Sequence, residues 1–398
     1  VTHDLIFISI ENWDDVWRRN QFVVHRLARR HPRRRILWVN PPDDVSNDAR
    51  HGRLFRAAAR AFPNSPRALP QLPNLFLFTP AKLLPNSIGF TETANNMMMR
   101  SQLRKAAREV GIENPLLWIN PHYAAHLAGR MDERAMIYDV GEDWSAMATL
   151  RDLRERIIAQ DLMAARKADA IIVCCQHLAD LKSEFASKVH VIPNGVDLER
   201  YESIYKRALA GHPLTRNWSH PVLGHTGTLH SDRTDVDLVV KVARAFPQGT
   251  IALIGPDSLN PADRKCLLAE PNIRLTGPMK NAELPSIMSA FDVCLVPHQV
   301  NPFSDSQNPL KLFEYLASGL PIVSTPINGF RDFPELIHLA SDAEAFNAAI
   351  GDALVEPVGH ASRRQQAVSE FSWDVCADRI EDVIESVTCP AEMTLAAS

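Results

Sequence analysis

Ser306-Gln307-Asn308-Pro309-Leu310-Lys311-Leu312-Phe313-Glu314-Tyr315-Leu316-Ala317-Ser318-Gly319-Leu320-Pro321-Ile322-Val323-Ser324-Thr325 carries the most information of any segment in this chain. It reads as a loop, a short helix and a buried strand. Pro309 suits a first helical turn, where a missing N–H removes no bond. Gly319 then stops the helix, and Ile322-Val323 open the strand. Lys311 lies near the helix start and Glu314 follows three residues later on the same face. A helix N-terminus beside a lysine favours bound phosphate, and a nearby carboxylate can accept hydrogen bonds from ribose hydroxyls. The plainer alternative is a Lys–Glu surface pair on an amphipathic helix.

Outward from this stretch, strand-like and helical patterns alternate. Apolar runs at 5–10, 36–40, 75–78, 116–120, 135–139 and 170–174 predict strands of a largely parallel sheet. Helical spacing is read between them, around Val23, Val24 and Leu27 and over 95–110, 150–168 and 176–185. Pro193-Asn194-Gly195 demands a turn. A second series begins at 222–226 and ends in a helix from Trp373 to about Val387. The pattern predicts an α/β protein of two Rossmann-like halves. The boundaries read as 1–197 for the first domain, 198–220 for a linker, 221–371 for the second domain and 372–398 for a C-terminal helix. In such sheets ligands sit beyond the carboxyl ends of the strands. The first strand–helix turn lacks G-x-G-x-x-G, which argues against a dinucleotide there.

Length and composition agree with this reading. At 398 residues two domains are the natural prior, and no apolar run approaches the ~20 residues needed to span a bilayer. The chain opens on a strand pattern without a signal-peptide pattern. Cysteines 174, 175, 266, 294, 376 and 389 form no C-x-x-C pair, so a reduced cytoplasmic protein without a zinc site is expected. The net charge of −4 is uneven: residues 1–70 hold 13 Lys/Arg against 7 Asp/Glu. Arg50, Arg53, Arg56 and Arg60 fall on one side of a helical pattern, opposite Leu54, Phe55, Ala58 and Phe62. Such a segment suits an anionic membrane surface, or a solvated arginine face over a packed one. The acidic balance and the lack of a binding motif disfavour nucleic acid.

The 308–323 stretch resembles the donor-binding segment of GT-B glycosyltransferases of the glycogen-synthase-like superfamily. It is most similar to bacterial enzymes of surface-polysaccharide synthesis, including those of the teichuronic-acid type. Pro193-Asn194-Gly195-Val196-Asp197, the 224–229 and 254–256 segments, and the Trp and Arg-x-Gln after the first strand resemble the same family. The resemblance implies two domains facing across a cleft, with the last helix crossing back to the first. It implies that Glu314 holds the ribose and Lys311 the phosphates of a UDP- or GDP-linked sugar. Many retaining members carry a glutamate eight residues before the ribose-binding one, and here that position is Ser306. Such enzymes usually work without a bound metal, and no cofactor is implied because the nucleotide sugar is a substrate.

Glycosyl transfer needs a clamp for the leaving diphosphate, an acceptor held in line and often a base. Gly227 and Thr228 follow a strand end where backbone N–H groups can meet a phosphate. Arg233 could add charge, and Lys311 with Leu310 at the helix start completes the clamp. Gly277 and Met279 lie where relatives receive the base, and Gln307 and Asn308 could touch the sugar. Each has an ordinary turn, loop or solvated alternative. For the acceptor side, Glu11, Asn12 and Trp13 occupy the first strand's exit. Asp139, then Asp143, then His122 are the candidate bases, since clustered carboxylates raise one another's pKa. The same residues can be read as a capping acidic loop and a structural histidine.

The expectation is thus a cytoplasmic sugar transferase, peripheral on the inner membrane, acting on a lipid-linked or glycan acceptor. A nucleotide-sugar 2-epimerase on the same fold and a non-catalytic sugar-nucleotide-binding partner are the alternatives.

Overall fold

A computed structural model describes residues 3–51, 65–85, 89–205, 209–357 and 359–389. Two sheets carry the chain. The first runs, edge to edge, Val189–Val191, Ala170–Val173, Ala135–Val140, Leu116–Ile119, Leu5–Ile8, Ile36–Val39, Leu72–Phe78 and Arg67–Leu69. Its neighbours are parallel except for the last pair. The second runs Ile273–Gly277, Thr250–Ile254, Val222–Thr226, Val293–Val296, Ile322–Ser324 and His338–Leu339, all parallel.

The sequences explain why these strands are central. Leu-Ile-Phe-Ile, Ile-Leu-Trp-Val, Leu-Leu-Trp-Ile and Val-Cys-Leu-Val are apolar at every position and buried at every position. A parallel strand covered by helices on both faces needs that composition. Phe7 stacks on Trp38 with centroids 5.0 Å apart, and Trp118 leans on the same ring at 5.3 Å. Each such side chain contributes about 1.5–3 kcal/mol by leaving water.

In both sheets the earliest strand lies in the interior and the winding reverses beside it. The reversal falls between Leu5–Ile8 and Leu116–Ile119 in the first sheet, and between Val222–Thr226 and Val293–Val296 in the second. The crevice outside the carboxyl ends at such a reversal is the preferred ligand position of doubly wound sheets. Each domain therefore presents one such crevice.

The chain leaves the first sheet through Pro193-Asn194-Gly195 and returns beside the same turn, where Val196 N–H donates to Phe371 C=O at 2.8 Å. Ser372 caps the Trp373–Thr388 helix by accepting from Val375 N–H. Trp373 stacks on Phe22 at 4.7 Å, and Arg30 meets Asp374 and Asp378. The last helix therefore packs on the first domain. No helix among the described residues is long and apolar enough to cross a membrane.

Some expected boundaries move. The helix expected over 95–110 is Gly89–Glu109, and the one over 150–168 is a 3-10 turn followed by Arg154–Lys167. Arg53, Arg56 and Arg60 lie outside the described residues, and Arg50 ends the Val45–Arg50 helix.

Candidate active site

The Leu310–Ser318 helix begins after Pro309, its N-cap, one position later than the sequence suggests. Leu312, Phe313 and Leu316 face the core of the second domain. Gly319 ends the helix at φ 72°, a left-handed conformation natural to glycine. Arg364, fully buried, donates to Gly319 C=O at 3.3 Å and to Leu336 C=O at 2.8 Å, fixing the C-terminal end. The N-terminal end is thereby aimed at the crevice of the second sheet.

Lys311 is buried there, with Nζ 3.2 Å from His225 Nε2 and 3.2 Å from His298 Nε2. His225 Nδ1 lies 2.9 Å from Leu295 C=O, which only accepts, so the ring proton sits on Nδ1 and Nε2 accepts from the lysine. Two of the three ammonium N–H bonds thus go to imidazoles. Among the described residues no carboxylate lies within ion-pair reach of Nζ. Burial, then the Arg233 guanidinium, depress the Lys311 pKa well below its usual range, with Glu314 opposing. Burial and Lys311 likewise hold both histidines far below their usual pKa, and so neutral. Burial and Arg233 thus favour the uncharged amine of Lys311, and an anion arriving at this helix N-terminus would favour its protonated form.

Gly227 forms the opposite wall at φ +130°. A side chain there would place its Cβ 3.0 Å from Lys311 Nζ, filling the space beside the ammonium. Gly255, at φ +143°, leaves no room for a side chain, since a Cβ there would fall 2.1 Å from the Gly227 carbonyl oxygen. Thr228 continues this turn, half-buried. Tyr315 anchors the strand end by accepting from Thr226 N–H at 2.7 Å. Glu314 accepts from Tyr201 Oη at 2.8 Å; burial raises its pKa against the pull of Tyr201, Arg200 and Lys311. Gly277 ends its strand at φ +75°, facing open space, and Met279 packs on the domain core.

The loops of the first domain close over this crevice. Asp143 N–H donates to Ser306 Oγ at 3.0 Å, and Thr149 Oγ1 meets Asp232 at 2.5 Å. Asn194 N–H donates to Asn308 Oδ1 at 2.8 Å. Glu142 Oε1 accepts from Gln307 Nε2 at 2.8 Å and pairs with Arg233 Nη2 at 3.4 Å. Gln307, Asn308 and Arg233 are thus engaged across the interdomain gap, and Ser306 is a fastener between domains. Leu310 packs against the core cluster of the first domain.

The crevice of the first sheet is acidic. Glu11 Oε2 accepts from Asn20 Nδ2 at 3.0 Å, and the same amide donates to Asn120 Oδ1 at 3.0 Å. Burial, reinforced by Glu142 and Asp14, pushes Glu11 up to about 7 despite Arg18 and Asn20. Asn12 is exposed, and Trp13 lies edge-on to Trp38 at 4.9 Å.

The strand-end position read for Asp139 is corrected by the structure. The strand continues to Val140, and alternation turns Asp139 to the side of Ala135 and Ile137, away from the mouth. Its carboxylate is buried, accepts from Trp118 Nε1 at 3.3 Å and faces Arg19 Nε at 3.7 Å. Arg19 in turn donates to Asn194 Oδ1 at 3.0 Å, so Asp139 belongs to the support of the crossing. The Asp143 carboxylate caps a 3-10 turn, accepting from Ser145 N–H at 2.9 Å and Ser145 Oγ at 2.6 Å. His122 lines a cavity with Tyr138, Glu142, Trp144 and Asp161; burial lowers its pKa. His225, His298 and the reach of Glu142 escape the sequence reading. The signal for the histidines was their place at the exits of the two strands flanking Gly227.

Two open, largely parallel sheets, joined by the crossing at Pro193-Asn194-Gly195 and a helix that returns to the first, give a GT-B fold. Residues 220–356 match the family model described as glycosyl transferases group 1. The chain has the GT-B fold, and that match covers most of its second domain.

Among sequence relatives, a protein of Bacillus subtilis (strain 168) named as a teichuronic acid biosynthesis glycosyltransferase, TuaH, is 29% identical over 201 residues, covering 48% of this chain and 50% of the relative. A 2-deoxystreptamine N-acetyl-D-glucosaminyltransferase of Streptomyces fradiae is 24% identical over 265 residues, 61% of each chain. The chain thus spans between half and three-fifths of the length of these relatives. Sucrose-phosphate synthase from Thermosynechococcus elongatus shares the fold over 100% of both chains, with TM-score 0.71 and 18% identity. Anabaena HepE, solved in complex with UDP, does so over 96% of this chain and 100% of its own, with TM-score 0.64 and 16% identity. These names give the epimerase alternative no support.

Proposed function

We propose that this protein transfers a sugar from a nucleoside-diphosphate donor to a hydroxyl-bearing acceptor, a glycan or lipid-linked glycan of a bacterial surface polysaccharide. The observation that carries the reading is Lys311: a buried lysine at a helix N-terminus, in contact with two neutral imidazoles and beside the side-chain-free wall at Gly227. A bound diphosphate would oppose the effect of burial and Arg233 and favour the protonated lysine. Charge grows on the leaving diphosphate as the glycosidic bond breaks, and preorganised donors stabilise that charge more than the ground state. On this reading Glu314, held by Tyr201, takes the ribose hydroxyls. UDP is the first choice of donor nucleotide, in line with the UDP complex of HepE.

On this reading the acceptor enters over the acidic crevice of the first domain. Glu11, held by Asn20 and raised to about 7, takes the proton from the acceptor hydroxyl. Asp139 supports the domain crossing and Asp143 shapes the loop. The test is a nucleotide-release assay with UDP- and GDP-sugars, with and without undecaprenyl-linked glycan extract. Acceptor-dependent release with sugar appearing in the lipid fraction is the expected result. Release of UDP with an epimerised free sugar, or donor binding without turnover in any extract, would select the alternatives.

A further inference from the structure

The second domain holds two basic side chains at its crevice, Lys311 and Arg233, and Arg233 depresses the pKa of Lys311. Arg233 Nε is buried without a hydrogen-bond partner among the described residues, and its Nη2 reaches Glu142 of the other domain at 3.4 Å. Glu142 is itself held by Gln307 at 2.8 Å. A carboxylate of the acceptor-side domain therefore stands against a guanidinium that the donor diphosphate would use.

We propose that Glu142 is an internal counter-ion that occupies Arg233 in the ligand-free protein and is displaced from it by the donor diphosphate. This rests on the donor-binding reading above and adds a consequence to it. Both anions compete for one guanidinium, so donor binding must break a contact between domains and release a carboxylate toward the acceptor crevice. Arg233 also lies over the Phe303 ring at 5.7 Å, which holds the guanidinium plane in the gap during the exchange. Glu142 is a positioning residue acting through Arg233.

The groups facing Glu142 set its pH response. Arg233 and Gln307 come from the second domain. Glu11 lies within electrostatic reach on the first, and His122, Asp161 and Lys182 border the cavity that Glu142 helps to line. Lys311 and the neutral His225 and His298 are within reach of Arg233. Burial raises the Glu142 pKa, with Arg233 and Gln307 opposing. Competition is therefore strongest at higher pH, where Glu142 is charged, and fades as pH falls through its raised pKa.

The experiment is calorimetric titration of UDP and GDP into wild type, Glu142→Gln and Glu142→Asp over acid to neutral pH. Melting without ligand checks that each variant is folded. Glu142→Gln is expected to bind nucleoside diphosphate about fivefold or more tightly than wild type, in the usual range of site coupling. That gap should close as pH falls, and Glu142→Asp should restore the wild-type pH response. The diphosphate's own titration is shared by all three proteins and drops out of the comparison. A disrupted fold would weaken binding, so a gain separates competition from a structural role. If wild type binds and Glu142→Gln binds equally or more weakly, or if its advantage persists at low pH, this inference fails while the donor reading stands. If wild type binds neither nucleotide, both fail.

Discussion

The two crevices of this protein share a topology and differ in chemistry. In the second sheet the reversal of winding is lined by Lys311, His225, His298 and a glycine wall; in the first it is lined by Glu11, Asn20 and Asn120. One is electron-poor and built for an anion. The other holds a carboxyl that burial pushes up to about 7. The fold dictates where ligands sit, whereas the residues at strand exits dictate which ligand each crevice takes.

Neutralising the acidic crevice should have the strongest consequence for turnover. Glu11→Gln should lower transfer by about 10²–10⁴-fold, the usual range for a lost general base, while leaving UDP binding intact. Because the shift is upward, Glu11 is protonated below about pH 7 and works as a base only above it. The wild-type rate should therefore rise through that pH, and the rise should vanish in the variant. The same shift makes the folded protein the stronger proton binder between the ordinary glutamate range and about 7. The Glu11 contribution to stability thus declines as pH rises across that window.

A second substitution separates chemistry from support. Asp139→Asn leaves the buried Arg19 guanidinium without its facing carboxylate, and breaking a buried pair typically costs about 3 kcal/mol or more. Chemical denaturation should show that loss. Full stability with abolished turnover would return the base assignment to Asp139. The smallest effect is expected at Tyr201→Phe, which removes the hydrogen bond to Glu314 and weakens UDP binding by about 1 kcal/mol. Unchanged affinity would detach Glu314 from the ribose.

Much of the scaffold was legible because it is local. Gly319, the all-apolar strands and the Pro193-Asn194-Gly195 turn each carry a backbone requirement in a few consecutive residues. Lys311 was legible for the same reason, lying one residue past the helix start. His225 and His298 are 73 positions apart, and nothing local shows that both imidazoles converge on one ammonium. Asp139 was misread because its strand runs one residue further than its apolar pattern suggests, and parity turns the carboxylate inward. Nothing local points to Glu142, since its partners Arg233 and Gln307 are 91 and 165 residues away. Sites made by two domains are visible only when both are in place.

Donor binding depends most on the lysine of the second domain. Titration of UDP into wild type and Lys311→Ala, with melting curves to show that both are folded, measures it directly. Saturable one-site binding by wild type that falls by about 100-fold or more in the variant is the expected result, the scale of removing a charge-assisted contact from a buried anion site. Equal affinity in the two proteins would contradict the account.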